Sequence, residues 1–262
     1  MSGRRPASRA RSRAEPADEL GGEQVEGRQA VRELFRAARR PPRELWVSRQ
    51  ADPSDVLDEI VELARRGGVA VRRVGAATLA ERARTEAPQG VIAWAAPVPA
   101  AGLDDLLEAP DAFLVALDGV TDPQNLGAII RTAETAGATG LLLPRHRSAG
   151  ITPTVAKAAA GAVEHLPIAP VAGIPATLDR AHRAGCWTVG LDAGGRASLF
   201  ELEIAAEPLV LVLGAEGQGL GRLTRRRCDL VVHIPTAGRI ASLNVSAAAA
   251  LACFEVARRR AG

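Results

Sequence analysis

Apolar residues come in two rhythms along this chain. Short, mostly apolar runs at 113–117, 140–143, 187–191, 208–213 and 230–234 predict strands buried on both faces. Between them, 118–137, 152–161, 174–184 and 245–260 carry apolar residues at helical spacing, and 164–169 reads as an edge strand or extended segment. Helices alternating with such strands predict an α/β fold with a mostly parallel sheet, helices on both sides. A smaller α/β pattern precedes it. A turn and amphipathic helix over 25–35 lead to a strand at 45–47, then a helix over 54–66 capped by Ser54 and closed by Gly67-Gly68. A strand at 69–74, a helix at 77–84 and a strand at 90–95 complete it. Residues 97–102 read as a linker and 103–107 as a short helix. The expected divisions are a tail at 1–22, a small domain at 23–97, a connection at 98–110 and a main domain at 111–262.

The stretch 118–137 is the most sharply punctuated. Asp122 is placed as an N-cap and Pro123 as the first helical residue, where a missing N–H costs nothing. Gly137 stands where a left-handed C-terminal cap is expected. Leu126, Ile130 and Ala133 share one face. Those features explain a folded helix but not Asn125 and Arg131 within it.

Composition narrows the class. The 262 residues are 47% hydrophobic, and no apolar run approaches the ~18 residues of a membrane span. No signal peptide is visible, and the expected setting is cytoplasmic. Cys186, Cys228 and Cys253 are odd in number, far apart and separate from the histidines, so reduced thiols and no metal site are expected. The net charge of +3 points only weakly to nucleic acid. Lys157 is the only lysine among 33 basic residues, a bias that suits phosphate recognition but also a GC-rich genome. Arg4, Arg5, Arg9, Arg11 and Arg13 lie in a segment with almost nothing to bury, expected to be disordered. The cluster Arg36, Arg39, Arg40 and Arg43 fits an RNA-facing patch or a solvated helix end.

Two further joints follow apolar strands. Gly214-Ala-Glu-Gly-Gln-Gly-Leu-Gly221 has four glycines that let backbone approach a ligand. It fails the dinucleotide fingerprint, whose third glycine falls on Arg222, and lacks the Gly-Lys-Ser/Thr of a P-loop. Its Glu216 suits hydroxyls or a cation better than phosphate. The second joint, 234–246, brings Ser242, Asn244 and Ser246 to the start of the last helix, more polar side chains than one cap needs.

Taken in order, three segments resemble the motifs of the SpoU/TrmH branch of the SPOUT RNA methyltransferases. They are Asn125-Leu-Gly-Ala-Ile-Ile-Arg131-Thr-Ala, Leu213-Gly-Ala-Glu216-Gly-Gln-Gly-Leu and Ile234-Pro-Thr-Ala-Gly-Arg-Ile-Ala-Ser242-Leu-Asn244-Val-Ser246. Upstream, Glu26-Gly-Arg-Gln-Ala-Val31 and Pro88-Gln-Gly-Val-Ile-Ala93 are similar to the ends of that family's ribosomal-protein-like RNA-binding domain. Pro88 and Thr236 depart from the His and Met usual there.

The resemblance implies a SPOUT domain with a deep trefoil knot, a homodimer, and S-adenosyl-L-methionine as methyl donor without a metal. By position, Gly214, Ile234 and Leu243 would contact the cofactor, and Asn125, Arg131, Glu216, Ser242 and Asn244 would form the catalytic set. The two-domain plan implies 2′-O-ribose methylation of a guanosine in 23S rRNA. Alternatives are the tRNA D-loop guanosine, an antibiotic-resistance rRNA target, or a non-catalytic RNA-binding protein. The family assigns Arg131 as base, but a guanidinium stays charged in proteins. Stabilising the developing alkoxide asks less of it.

Overall fold

The structure, a computed structural model, describes residues 19–146, 148–239 and 242–261. Most of the expected basic tail lies outside them. Its last residues are packed rather than disordered: Leu20 donates its N–H to the Val98 carbonyl and Gly21 bridges Ile151.

The first sheet holds strands β1 (Gln24–Glu26), β2 (Pro42–Ser48), β3 (Ala70–Val74) and β4 (Val91–Ala95), in the order β1-β4-β2-β3. β4 runs antiparallel to both β1 and β2, and β2–β3 is parallel. β1 corrects the expected turn, because the start of the 25–35 segment pairs with β4 before helix α1 (Arg28–Ala37) begins. Three residues are too few to show a period, so that strand was invisible in the sequence. Helix α2 (Asp55–Arg66) has Ser54 accepting the Leu57 N–H at 3.2 Å, acids in its first turn and arginines in its last, all favourable to its dipole. Helix α3 (Ala76–Arg82) packs against β2.

The second sheet is wholly parallel. It has seven strands: β5 (Phe113–Asp118), β6 (Gly140–Pro144), β7 (Ile168–Val171), β8 (Trp187–Leu191), β9 (Ala197–Ser198), β10 (Leu209–Gly214) and β11 (Leu230–His233). Their order is β7-β6-β5-β10-β8-β11-β9. Around it lie α4 (Leu103–Leu107), α5 (Pro123–Thr135), α6 (Pro153–Ala158), α7 (Ile174–Arg183), α8 (Arg222–Arg227) and α9 (Val245–Arg260). Period-2 alternation sends Phe113, Val115 and Leu117 to the core shared with α5 and α9, and Leu114 and Ala116 to the one shared with α7. The expected edge strand at 164–169 starts later, at Ile168, because 162–164 forms a 3₁₀ turn. The α8 helix was not expected, since its run of arginines shows no apolar period.

The expected linker is also packed: Val98 is buried, and the Ala101 N–H donates to the Ile168 carbonyl. The two domains lock through a buried pair. Arg40 pairs with Glu164 at 2.6 Å, both side chains 2% exposed, and also donates to the Gly22 and Ala96 carbonyls. Arg39 donates to the Glu164 and His165 carbonyls, and Arg36 pairs with Glu33 and Glu59. Arg39 and Arg40 of the basic cluster thus belong to the domain joint, whereas Arg36 is paired within the first domain. Cys253 is fully buried, and burial pushes its thiol up to about 12.

Candidate active site

Parallel strands end together, and the ends of β5, β8, β10 and β11 meet at one edge of the second sheet. Leaving β10, the 214–221 loop folds on itself through paired Ala215 and Gly219 bonds at 3.1 and 2.9 Å. Gly217 and Gly219 adopt φ of +74° and +66°, which a side chain resists. A Cβ on Gly214 would overlap the Gly219 backbone, so this turn closes only on glycine.

Two carboxylates pin the loop from neighbouring strands. Asp118, ending β5, accepts the Gly221 N–H at 2.9 Å. Asp192, following β8, accepts the Leu220 N–H at 3.2 Å and the Gly194 N–H at 2.9 Å, and pairs with Arg225 at 2.5 Å. Sequence reading missed the role of both. Their signal was their position, each the first acid after an apolar strand.

The loop walls a cavity of about 240 Å³, and the three expected cofactor residues, Gly214, Ile234 and Leu243, line it together. Glu216 and Ser242 line it as well. Its other walls include the apolar Leu191, Leu213, Val245 and Ala248, the polar Gln218 and Thr236, and Asp192 as a second acid. Apolar walls for a flat base, close backbone and two acids for a cationic centre fit S-adenosylmethionine.

At the mouth, three expected residues form one hydrogen-bonded unit. Asn244 donates from Nδ2 to Asn125 Oδ1 at 3.0 Å, and Asn125 donates from its own Nδ2 to Glu216 Oε2 at 3.3 Å. Asn244 is also the N-cap of α9, its Oδ1 accepting the Ser246 N–H at 2.8 Å and the Ser246 hydroxyl at 2.6 Å. Asn125 is presented by a first turn fixed as expected, with Asp122 Oδ1 accepting the Asn125 N–H at 2.7 Å. Asn125 and Glu216 also face a wider cavity of about 1110 Å³ on the other side of the loop.

Arg131 is not part of this unit. Six residues beyond Asn125, it stands about 9 Å along α5 and about 120° around it. It lines a different cavity, beside Gln29 and Arg32 of the first domain, and none of the described residues hydrogen-bonds or pairs with its guanidinium. Among the described residues no group of acids, cysteines and histidines could hold a metal ion, and no helix is long and apolar enough to cross a membrane.

Residues 112–254 match the SpoU rRNA Methylase family, and residues 24–100 match the RNA 2′-O ribose methyltransferase substrate-binding family. The chain is 39% identical to a putative TrmH family tRNA/rRNA methyltransferase of Bacillus subtilis, over 90% of this chain and 95% of the relative. It is 37% identical to the 23S rRNA (guanosine-2′-O-)-methyltransferase RlmB of Pseudomonas putida, over 91% and 97% of the two chains. The crystal structure of the SpoU methyltransferase AviRb from Streptomyces viridochromogenes with the cofactor AdoMet superposes with a TM-score of 0.76. It is 30% identical and covers 91% of this chain and 90% of that one. With both domains matched and the glycine-walled cavity formed, this chain belongs to the SpoU rRNA methylase family, an RNA 2′-O-methyltransferase using S-adenosylmethionine.

Proposed function

We propose that the protein methylates the 2′-hydroxyl of a guanosine in 23S rRNA, in the cytoplasm, as a homodimer with a knotted catalytic domain. The observation that carries the site reading is the Asn244–Asn125–Glu216 unit at the mouth of the 240 Å³ cavity. The RNA target follows the relatives that share both domains at 36 to 38% identity.

Bound S-adenosylmethionine supplies a methyl group on a cationic sulfonium. Gly214, Ile234 and Leu243 hold it through backbone and apolar contact, with Ser242 completing the wall. Glu216, between the two cavities, would accept the hydrogen bond of the ribose hydroxyl and take its proton, the methyl group passing from the sulfur, left as a neutral thioether, to the ribose oxygen. Asn125 and Asn244 fix the carboxylate by their chain of amide bonds. Arg131 stays cationic and stabilises the oxygen as it gains negative charge, where a preorganised donor is most effective.

Arg131 lies off its own chain's cavity, so this role places it in the cavity of a second copy. The last helix supports such pairing. Ala247, Leu251 and Phe254 are exposed on one stripe of α9, continuing from Leu243, with Leu251 and Phe254 41% and 49% exposed.

The test is transfer of labelled methyl from S-adenosylmethionine to 23S rRNA fragments and to tRNA transcripts, with mapping of the modified nucleotide. Label on a guanosine ribose of 23S rRNA is expected. Label on tRNA alone would overturn the substrate, and no label on any RNA would overturn the activity.

A further inference from the structure

Among the described residues, two cavities outside the site described above share Gln29 in their linings. The first, about 670 Å³, opens where α1, α2, α3 and the turn before β4 converge. Its polar lining is mostly amides and hydroxyls, including Gln50, Gln89, Ser48 and Ser54, and Asp52 is its one acid. Arg28 is clamped in it by three donors: to the Gln89 carbonyl at 3.1 Å, the Ser54 hydroxyl at 2.8 Å and the Asp52 carbonyl at 2.7 Å. All three acceptors are uncharged, so the guanidinium is held in place without its charge being cancelled at contact.

The second cavity, about 530 Å³, lies in the domain junction, where Arg32 and Arg131 face it from opposite domains. Of its acids, Glu33 is already engaged. Burial works to raise its carboxyl, but hydrogen bonds from His165 and Arg32 and the charges of Arg32 and Arg36 outweigh it and hold the group below its ordinary range. Glu134 is the other acid, within 3.4 Å of the Thr135 hydroxyl.

We propose that these cavities form one groove, crossing the domain junction at Gln29, which carries a single-stranded segment of the substrate RNA from the first domain to Arg131. This rests on the RNA reading given above. Unpaired bases expose edges that match amides and hydroxyls, while their phosphates match guanidinium forks. A groove built from two domains keeps its register only if they cannot swing. The buried Arg40–Glu164 pair supplies that rigidity, and Lys157 of the large domain reaches the Ala87 carbonyl, two residues from Gln89. The spacing between the clamped Arg28 and Arg131 is thereby set by the protein and not by a tether.

The test uses the full chain, with a photoreactive benzophenone side chain placed at Gln29, at Arg32, or at the exposed Arg66 as control. The probe is a 23S rRNA transcript. Crosslinks at 29 and 32 but not 66 are expected. Their absence, or equal yield at 66, overturns the groove whether or not methyl transfer is seen. Independently, Gln29→Glu and Arg32→Gln should each raise KM for RNA about tenfold while leaving kcat, cofactor affinity and Tm near wild type. Arg32→Gln should also reduce the salt slope of RNA binding by about 1. Unchanged KM and slope in variants that still transfer methyl would overturn the groove and leave the methyltransferase reading standing. Loss of transfer to every RNA by the wild type strikes that reading instead.

Discussion

Asn244 and Asn125 are 119 residues apart in sequence, yet the Nδ2 of one donates to the Oδ1 of the other at 3.0 Å. That bond ties the first turn of α5 to the first turn of α9 across the mouth of the cavity. Each asparagine is held by its own helix start, through Asp122 in one case and the cap to Ser246 in the other. The two helix caps therefore position a polar unit that neither helix could build alone.

Asn244 serves both as cap and as donor, and two variants separate these roles. Asn244→Asp keeps the cap but loses the Nδ2 donor. It should keep its Tm while kcat falls about 100-fold, the scale of a misplaced reacting group. Asn244→Ala should show the same kinetic loss plus about 1 kcal/mol of lost stability. Thermal melts and steady-state methyl transfer check both.

If Arg131 acts in the partner's cavity, two dead variants complement each other. Arg131→Ala and Glu216→Gln should each be inactive alone, with dimerisation kept in both and cofactor binding kept in Arg131→Ala. Co-expressed, a mixed dimer has one complete site, so random pairing should return roughly a quarter of wild-type activity. Activity at background in verified mixed dimers would put Arg131 back in its own chain's site or out of the reaction.

The Arg40–Glu164 pair is almost fully withdrawn from water, so removing either partner strands a buried charge. Arg40→Met and Glu164→Gln should each lower stability by about 3–5 kcal/mol, read from urea unfolding midpoints. Neither residue touches the cavity, so cofactor affinity measured on the folded fraction should be unchanged.

Glu255 gives the acid side of the stability profile. The hydrogen bond from Arg258, opposed by burial and joined by Arg259, lowers its carboxyl from 4.5 to about 2. A carboxylate held low stabilises the fold fully above its unfolded value and loses that contribution as pH falls towards 2. Wild type should therefore weaken between pH 4.5 and 2 more steeply than Glu255→Gln, which should be less stable at neutral pH. Unfolding followed at several pH values distinguishes the two slopes.

Local chemistry in the sequence was enough for the elements. Asp122, Pro123 and Gly137 bracket α5 as their cap and turn preferences require, and Ser54 and Gly67-Gly68 bracket α2. The runs at 113–117 and 208–213 had to be central strands, because water tolerates neither face of them. The glycine spacing at 214–221 marked a ligand loop, since Gly217 and Gly219 need positive φ and Gly214 has no room for a Cβ. What escaped was short or without period: the three-residue β1, the two-residue β9 and the arginine-rich α8.

Only the tertiary structure decided which polar residues meet. It joined Asn125, Glu216 and Asn244, brought Asp118 and Asp192 under the loop, made Arg39 and Arg40 part of a domain joint and set Arg131 apart. The reason is physical. Caps, turns and periodicity act within a few residues, whereas a side chain's partners depend on strand order and on which helix face the core consumes. Residues 125 and 131 look alike in a motif, but the helix leaves them about 120° apart around its axis, and that separation divides a residue of this chain's cavity from one that faces the domain junction.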